Sequence, residues 1–420
     1  MFAHRSNWNL AKNALARSIE EHRAGGREVL DLTLSNPTLA GLEYPERQIT
    51  SALADPRALQ YEPAPKGLLT AREAIARYYA EQGIVVDPER LILTVSTSEA
   101  YSYCFRLLCD PGDEVLVPAP SYPLFEFLAF IQDVRLAPYE LVYDHGWQIE
   151  FESLRRALNP RSRAILVVQP NNPTGSYAKP WEIERLHALC REHELALIAD
   201  EVFLDYRVEA DVAPSFAANP EPAVGKDASA GTEAGALTFI LSGLSKISGL
   251  PQMKLAWLYC SGPEELAATA IARLEVIADT YLSPNAPVQL ATPVLLEARH
   301  GVQRQLGSRV RANLAELDRQ LAHECSNQPV AGQQLCQRLR FEGGWNAVLR
   351  VPAVRSDEEL ALALLRERDV LVHPGHFFDF PSEGFLVLSL ITLEAEFREG
   401  LRRLLEFVAR SSGMVIDDSV

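Results

Sequence analysis

The sequence predicts an α/β fold: a large domain built on a mostly parallel sheet covered by helices on both faces, plus a smaller C-terminal α/β domain completed by the N-terminal segment. Three observations lead there. From residue 91 onward, short apolar runs alternate with amphipathic stretches of helical period. Two of those runs, 164–168 and 195–198, stop at polar clusters, Gln169-Pro-Asn-Asn-Pro-Thr-Gly175 and Ala199-Asp-Glu-Val-Phe203. Strands of an open parallel sheet present groups to a ligand at such ends. At 420 residues the chain also exceeds one ordinary core, and it divides into an N-terminal segment (1–45), a large domain (46–285) and a small domain (286–420).

Residues 10–23 read as a helix closed by Gly25 and Gly26, and residues 31–38 as a short strand entering a turn. Tyr61-Glu-Pro-Ala-Pro-Lys-Gly67 leads into an amphipathic helix, 68–81, stopped by Gly83. The alternation then runs strand 91–95, helix 99–108, strand 114–117, helix 124–131 and strand 134–138. It continues with strand 164–168, helix 182–192 and strands 195–199, 237–241 and 255–259. Residues 210–235, rich in Ala, Gly, Pro and Ser, read as a surface excursion, because the sheet resumes after them. Three helices follow, 264–281, 288–300 and 302–325, the first of them bridging the domains. The small domain reads from about Gly332, with strands 346–351 and 385–390 and helices 357–368 and 394–410, and residues 416–420 read as a fraying tail.

A 47% hydrophobic share with 23% charged residues is globular composition. The formal net charge of -16 is spread along the chain, which argues against nucleic acid and anionic membrane as partners. An anionic substrate must then meet positive charge inside a site. Six cysteines, at 104, 109, 190, 260, 325 and 336, form neither a CxxC pair nor a His-Cys zinc spacing. No metal site is expected, and the thiols read as reduced in a cytoplasmic protein. No apolar run approaches the roughly 20 residues of a membrane span, and the start lacks the apolar run of a signal peptide.

The chemistry centres on Lys246, in Leu241-Ser-Gly-Leu-Ser-Lys-Ile-Ser-Gly-Leu-Pro-Gln-Met-Lys254. Apolar runs on either side place it on a turn between two buried strands. Burial disfavours an ammonium, and the neutral amine is a nucleophile that can bond to a carbonyl. A lone lysine there more often reaches out to solvent. Asn172, Asp200 and Lys246, in that order, resemble the fold-type I, aspartate-aminotransferase-like enzymes that use pyridoxal 5'-phosphate (PLP). The resemblance covers nearly the whole chain.

The resemblance implies roles. Lys246 bonds covalently to the cofactor, and Asp200 keeps its pyridine nitrogen protonated, with Glu201 as the rival acid. Asn172 donates to the cofactor's phenolic oxygen from a turn fixed by Pro173, Thr174 and Gly175, and Tyr122 stacks on the ring. Ser96, Thr97 and Ser98, where free N–H groups open a helix, hold the phosphate together with Ser245 and Lys254. Tyr61 either packs on the following helix or reaches the neighbouring subunit's cofactor, which implies a homodimer. The implied reaction moves an amino group from a small-molecule donor, an amino acid or amine, to a 2-oxo acid. Elimination or decarboxylation on the same fold, and a non-catalytic PLP or amine sensor, are the alternatives.

Four positions depart from the family. Phe203 stands where many relatives carry a tyrosine that also donates to the phenolic oxygen, so the lysine–cofactor linkage should hold its proton more tightly. Gly243 stands where a serine is frequent. Lys254 replaces a phosphate-binding arginine, keeping charge without the bidentate fork. Val387, in Gly384-Phe-Leu-Val-Leu-Ser389, stands where relatives carry the arginine that grips the substrate carboxylate. Arg340, Arg350, His373 and His376 are the candidate replacements, unless the substrate has no carboxylate at that place.

Overall fold

The computed structural model describes residues 2–210, 213–218, 235–282, 284–326 and 335–411. In chain order its elements are α1 (Ala14–Ala24), β1 (Leu30–Asp31), α2 (Glu46–Leu53), α3 (Leu69–Ala80), β2 (Leu91–Thr94), α4 (Thr97–Leu108), β3 (Glu114–Ala119), α5 (Phe125–Phe130) and β4 (Arg135–Tyr143). There follow β5 (Trp147–Ile149), α6 (Phe151–Ala157), β6 (Ser162–Val168), α7 (Pro180–Glu192), β7 (Ala196–Asp200), β8 (Thr238–Gly243), α8 (Leu244–Ile247), β9 (Ala256–Ser261) and α9 (Glu264–Tyr281). The chain ends with α10 (Ala286–Ser326), β10 (Gln337–Arg338), β11 (Asn346–Arg350), α11 (Asp357–Arg368), β12 (Val370–Leu371), β13 (His373–Pro374), β14 (Phe385–Ser389) and α12 (Glu394–Ser411).

The apolar runs stack into one eight-stranded sheet of order β2-β9-β8-β7-β6-β3-β4-β5. Its centre, β4 through β3, β6 and β7 to β8, is parallel, while β9 and the edge strand β5 run against their neighbours. Alternate residues serve opposite faces, so both faces are dry. Leu93, Leu116, Ile165, Leu197 and Ile240 pack against α2, α3, α7 and the start of α10, whereas Ile92, Val115, Leu166, Ile198 and Phe239 pack against α4, α5 and α9.

The small domain is an antiparallel sheet of order β10-β11-β14-β13. Leu349, Leu386 and Leu388 bury one of its faces against α10 and α12, and Val348, Phe385 and Val387 on the other join the large-domain core. The N-terminal segment completes it: β1 pairs in parallel with β12, and Leu32, fully buried, lies in the small-domain core.

Two predicted helices merge into α10, which runs through Gly301 without a break. The apolar stripe changes partner there. Val288, Leu295 and Leu296 face the large-domain core, then Val302, Leu306, Val310 and Leu317 face the small one. α2, β5 and α6 were not expected; each is short, and Trp147 to Ile149 offers only one alternation from which to read a strand. Most of the 210–235 excursion, the start near Gly332 and the 416–420 tail lie outside the described residues.

Candidate active site

Lys246 lies on α8, a single turn that begins where β8 ends. Its Nζ sits 4.7 Å from the centre of the Trp345 ring and 5.4 Å from that of Phe203, and those two rings meet edge to face at 4.8 Å. Tyr206 adds a third aromatic, 5.3 Å from Trp345, and its hydroxyl donates to the Lys246 carbonyl at 2.6 Å. The Nζ donates to the Ser35 carbonyl at 3.5 Å. Burial among rings lowers the amine pKa to about 8, with the Asp200 charge opposing.

Asp200 ends β7 and is buried. Burial raises its pKa, while a hydrogen bond from Tyr101 Oη at 2.7 Å, another from the Val202 amide at 3.1 Å and the charge of Lys246 pull it down. Its neighbour Glu201 points to the opposite side of the strand, as consecutive residues must. There it accepts from Ser215 Oγ at 2.7 Å and the Phe216 amide at 2.6 Å. Of the two acids, Asp200 is the one on the Lys246 side.

The turn after β6 is held by Asn171, whose Oδ1 accepts from Thr174 Oγ1 at 2.9 Å. Gly175 has a φ of 70°, and a Cβ there would come 2.6 Å from the Gly343 carbonyl oxygen, so only glycine fits. The turn carries Asn172, whose Oδ1 accepts from Asn346 Nδ2 at 2.7 Å. Its own Nδ2 is left to donate elsewhere.

Ser96 caps α4, accepting from the Glu99 amide at 3.2 Å. Thr97 and Ser98 open the helix, where the first amides have no intrahelical partner. Tyr122 is 42% exposed, sits edge-on to Phe125 and feels the Asp200 charge. Ser245 immediately precedes Lys246 on α8, and Lys254 is exposed in the left-handed region at φ 53°. Tyr61 is 76% exposed and lines a separate cleft with Leu59, Leu282 and Gln289. In a single protomer it is not among the residues around Lys246.

The four candidate replacements for the missing arginine separate. Arg350 ends β11 at the far end from Asn346 and lies over the Tyr143 and Phe385 rings, 5.7 Å from each. Arg340 reaches Glu342 at 3.7 Å, and its amide donates to Tyr143 Oη at 3.1 Å. His376 is exposed. His373 is the Cα partner of Val387 across β13 and β14.

Sequence reasoning missed Tyr101, Tyr206, Trp345 and Asn346. Each looks like an ordinary core or strand residue until the fold brings it to Asp200, Lys246 or Asn172.

The profile of the family described as "Aminotransferase class I and II" matches residues 27–404. The chain belongs to that family. It is therefore an aminotransferase, acting on an amino group donor and a 2-oxo acid with PLP as cofactor. It is 29% identical to an alanine aminotransferase of Mycobacterium bovis, over 92% of this chain and 86% of that one. It is also 29% identical to an aspartate/prephenate aminotransferase of Thermus thermophilus, over 93% and 94%. A glutamate-pyruvate aminotransferase of Haemophilus influenzae is 25% identical over 91% of each chain. Among solved structures, an alanine aminotransferase from Pyrococcus furiosus shares the fold with a TM-score of 0.81 at 22% identity, over 98% of this chain and 100% of that one.

The residues of this aminotransferase fit PLP. Burial beside aromatic rings lowers an amine's pKa to about 8, a buried acid faces the same side, and the open N-terminal end of α4 suits a phosphate dianion.

Proposed function

We propose that the chain is a homodimeric amino-acid aminotransferase in which Lys246 holds the cofactor and moves the proton. Bound PLP supplies the electron sink that lets a substrate Cα–H bond ionise. The remaining work falls to the chain. Lys246 Nζ, its pKa lowered to about 8 by burial beside Phe203 and Trp345, accepts the Cα proton in its neutral form and returns it. Asp200 stays anionic under Tyr101 and the Val202 amide and pairs with the ring nitrogen. Asn172, its oxygen occupied by Asn346, donates its N–H to the phenolic oxygen. Tyr122 covers the ring, and Ser96, Thr97, Ser98, Ser245 and Lys254 surround the phosphate.

One observation carries the reading: an amine lowered to about 8 sits on the same side of the sheet as the buried Asp200. The dimer is supported by the cleft of about 510 Å³ around Tyr61, flanked by Leu59 and Leu282, which are 94% and 70% exposed. Such apolar exposure suits contact with a second copy, into whose site Tyr61 would reach. We place the protein in the cytoplasm: the described cysteines 104, 109, 190, 260 and 336 are free thiols. No helix among the described residues is long and apolar enough to cross a membrane.

Three of the relatives above are named for alanine, or for glutamate and pyruvate, so L-alanine with 2-oxoglutarate is the first pair to assay. Borohydride treatment of the yellow protein should fix the label to Lys246, and Lys254→Ala should weaken PLP retention. A colourless protein after incubation with PLP, or label on another lysine, would reject the assignment.

A further inference from the structure

The small-domain sheet turns one face toward the large domain. Alternation along β11 and β14 sends Leu349, Leu386 and Leu388 into the small-domain core and leaves Asn346, Val348, Val387 and Ser389 on the opposite face. Asn346 shows where that face looks, because its side chain reaches Asn172 in the large domain. Residues directly opposed in an antiparallel ladder share a face. His373, paired with Val387, therefore presents its imidazole beside Val387 on the cofactor side.

An amino acid and its 2-oxo acid both carry a carboxylate, and this face has few groups left to receive one. Ser389 Oγ donates to the Leu34 carbonyl, Asn346 donates to Asn172, and Arg350 is stacked on Tyr143 and Phe385 at the far end. The His373 ring is partly buried, 6.2 Å from Phe377 and 5.7 Å from Phe378, and neither of its nitrogens has a hydrogen-bond partner among the described residues. Burial lowers the imidazole's pKa, and the charge of Asp31 on β1, which forms no ion pair with it, only partly opposes that.

We propose that His373 is the specificity-determining residue of this aminotransferase, its imidazole N–H donating to the carboxylate of the amino acid and of the 2-oxo acid. The inference rests on the amino-acid aminotransferase reading above. A single imidazole donor holds a carboxylate less firmly than a guanidinium fork does. An amine without a carboxylate gains nothing from it.

The test compares L-alanine with ethylamine and L-phenylalanine with phenethylamine in half-reactions of the PLP-loaded enzyme, followed by the cofactor's absorbance. His373→Ala should raise the half-saturating concentration of each amino acid about tenfold to a hundredfold and leave the amines within about twofold. His373→Gln, which keeps an N–H donor, should retain most of the discrimination. Adding Val387→Arg to His373→Ala should restore saturation by the amino acids. Equal losses for acid and amine, or no loss in either variant, would overturn the proposal. Wild-type enzyme that accepts amines alone would also overturn it and leave the aminotransferase standing. PLP-loaded wild type that transfers no amino group at all would reject the underlying reading.

Discussion

Tyr101 donates its phenolic hydrogen to Oδ2 of Asp200 at 2.7 Å, from just over one turn into the helix whose first residues form the proposed phosphate seat. One rigid element thus sets the distance between the two ends of the cofactor site. The bond stabilises the carboxylate against the burial that would otherwise protonate it. Tyr101→Phe should therefore raise the Asp200 pKa. Since the carboxylate must be ionised to pair with the ring nitrogen, the acidic limb of the kcat profile should move to higher pH, and kcat at neutral pH should fall about tenfold. A purely structural role would lower kcat without moving the limb, so the pH profile decides.

Asn346 fixes which way the Asn172 amide points. With Asn172 Oδ1 accepting from Asn346 at 2.7 Å, its Nδ2 is free for the cofactor oxygen. Asn346→Leu frees the amide to rotate, so the absorbance band of the PLP-loaded enzyme should titrate at a different midpoint and cofactor affinity should fall by about 1 kcal/mol. The double variant with Asn172→Ala should lose less than the sum of the two single losses, the signature of a shared interaction. Strict additivity would separate the two residues.

The mostly parallel sheet and the burial of its central strands were legible in the sequence, because runs such as 164–168 are apolar on both faces and end in polar clusters; the order of its strands was not. Lys246, Asp200 and Asn172 also stand at strand ends, but a cap, a turn or a solvent-reaching side chain accounts for each alone, and it was their order, resembling the fold-type I enzymes, that singled them out. The aromatic box was not legible. Trp345 comes from the small domain and Tyr206 from the loop after β7, so only the folded chain brings them together around one amine. The continuity of α10 was hidden because its apolar stripe changes direction at Gly301, which on the sequence looks like a break.

Phe203 lies edge-on to Trp345, with its ring 5.4 Å from Lys246 Nζ. A hydroxyl at its para position would add a donor for the cofactor's phenolic oxygen, next to the one offered by Asn172. That oxygen would carry negative charge more easily, so Phe203→Tyr should lower the midpoint at which the holoenzyme's visible band titrates, by about one pH unit. The variant adds one atom at a residue only 6% exposed, so a matching thermal unfolding curve should accompany the shift. An unmoved midpoint would mean that position 203 does not face the phenolic oxygen.

Glu201 offers a contrast with Asp200 that can be read in stability. Burial lifts its pKa to about 8 from an ordinary 4.5; the Ser215 and Phe216 donors oppose the rise, and the charges of Asp200 and Asp205 add to it. Between those two values the folded chain binds more protons than the unfolded chain at this residue, so its contribution to stability is present below about pH 4.5 and is lost as the pH rises through about 8. A glutamine at 201 does not titrate. Urea unfolding of wild type and Glu201→Gln at pH 5 and pH 8 should show the wild type losing ground to the variant by on the order of a few kcal/mol across that window. The variant sacrifices one acceptor for the Ser215 and Phe216 donors, which sets its starting point but not the trend. Parallel curves at the two pH values would show that Glu201 is already ionised in the fold at pH 5.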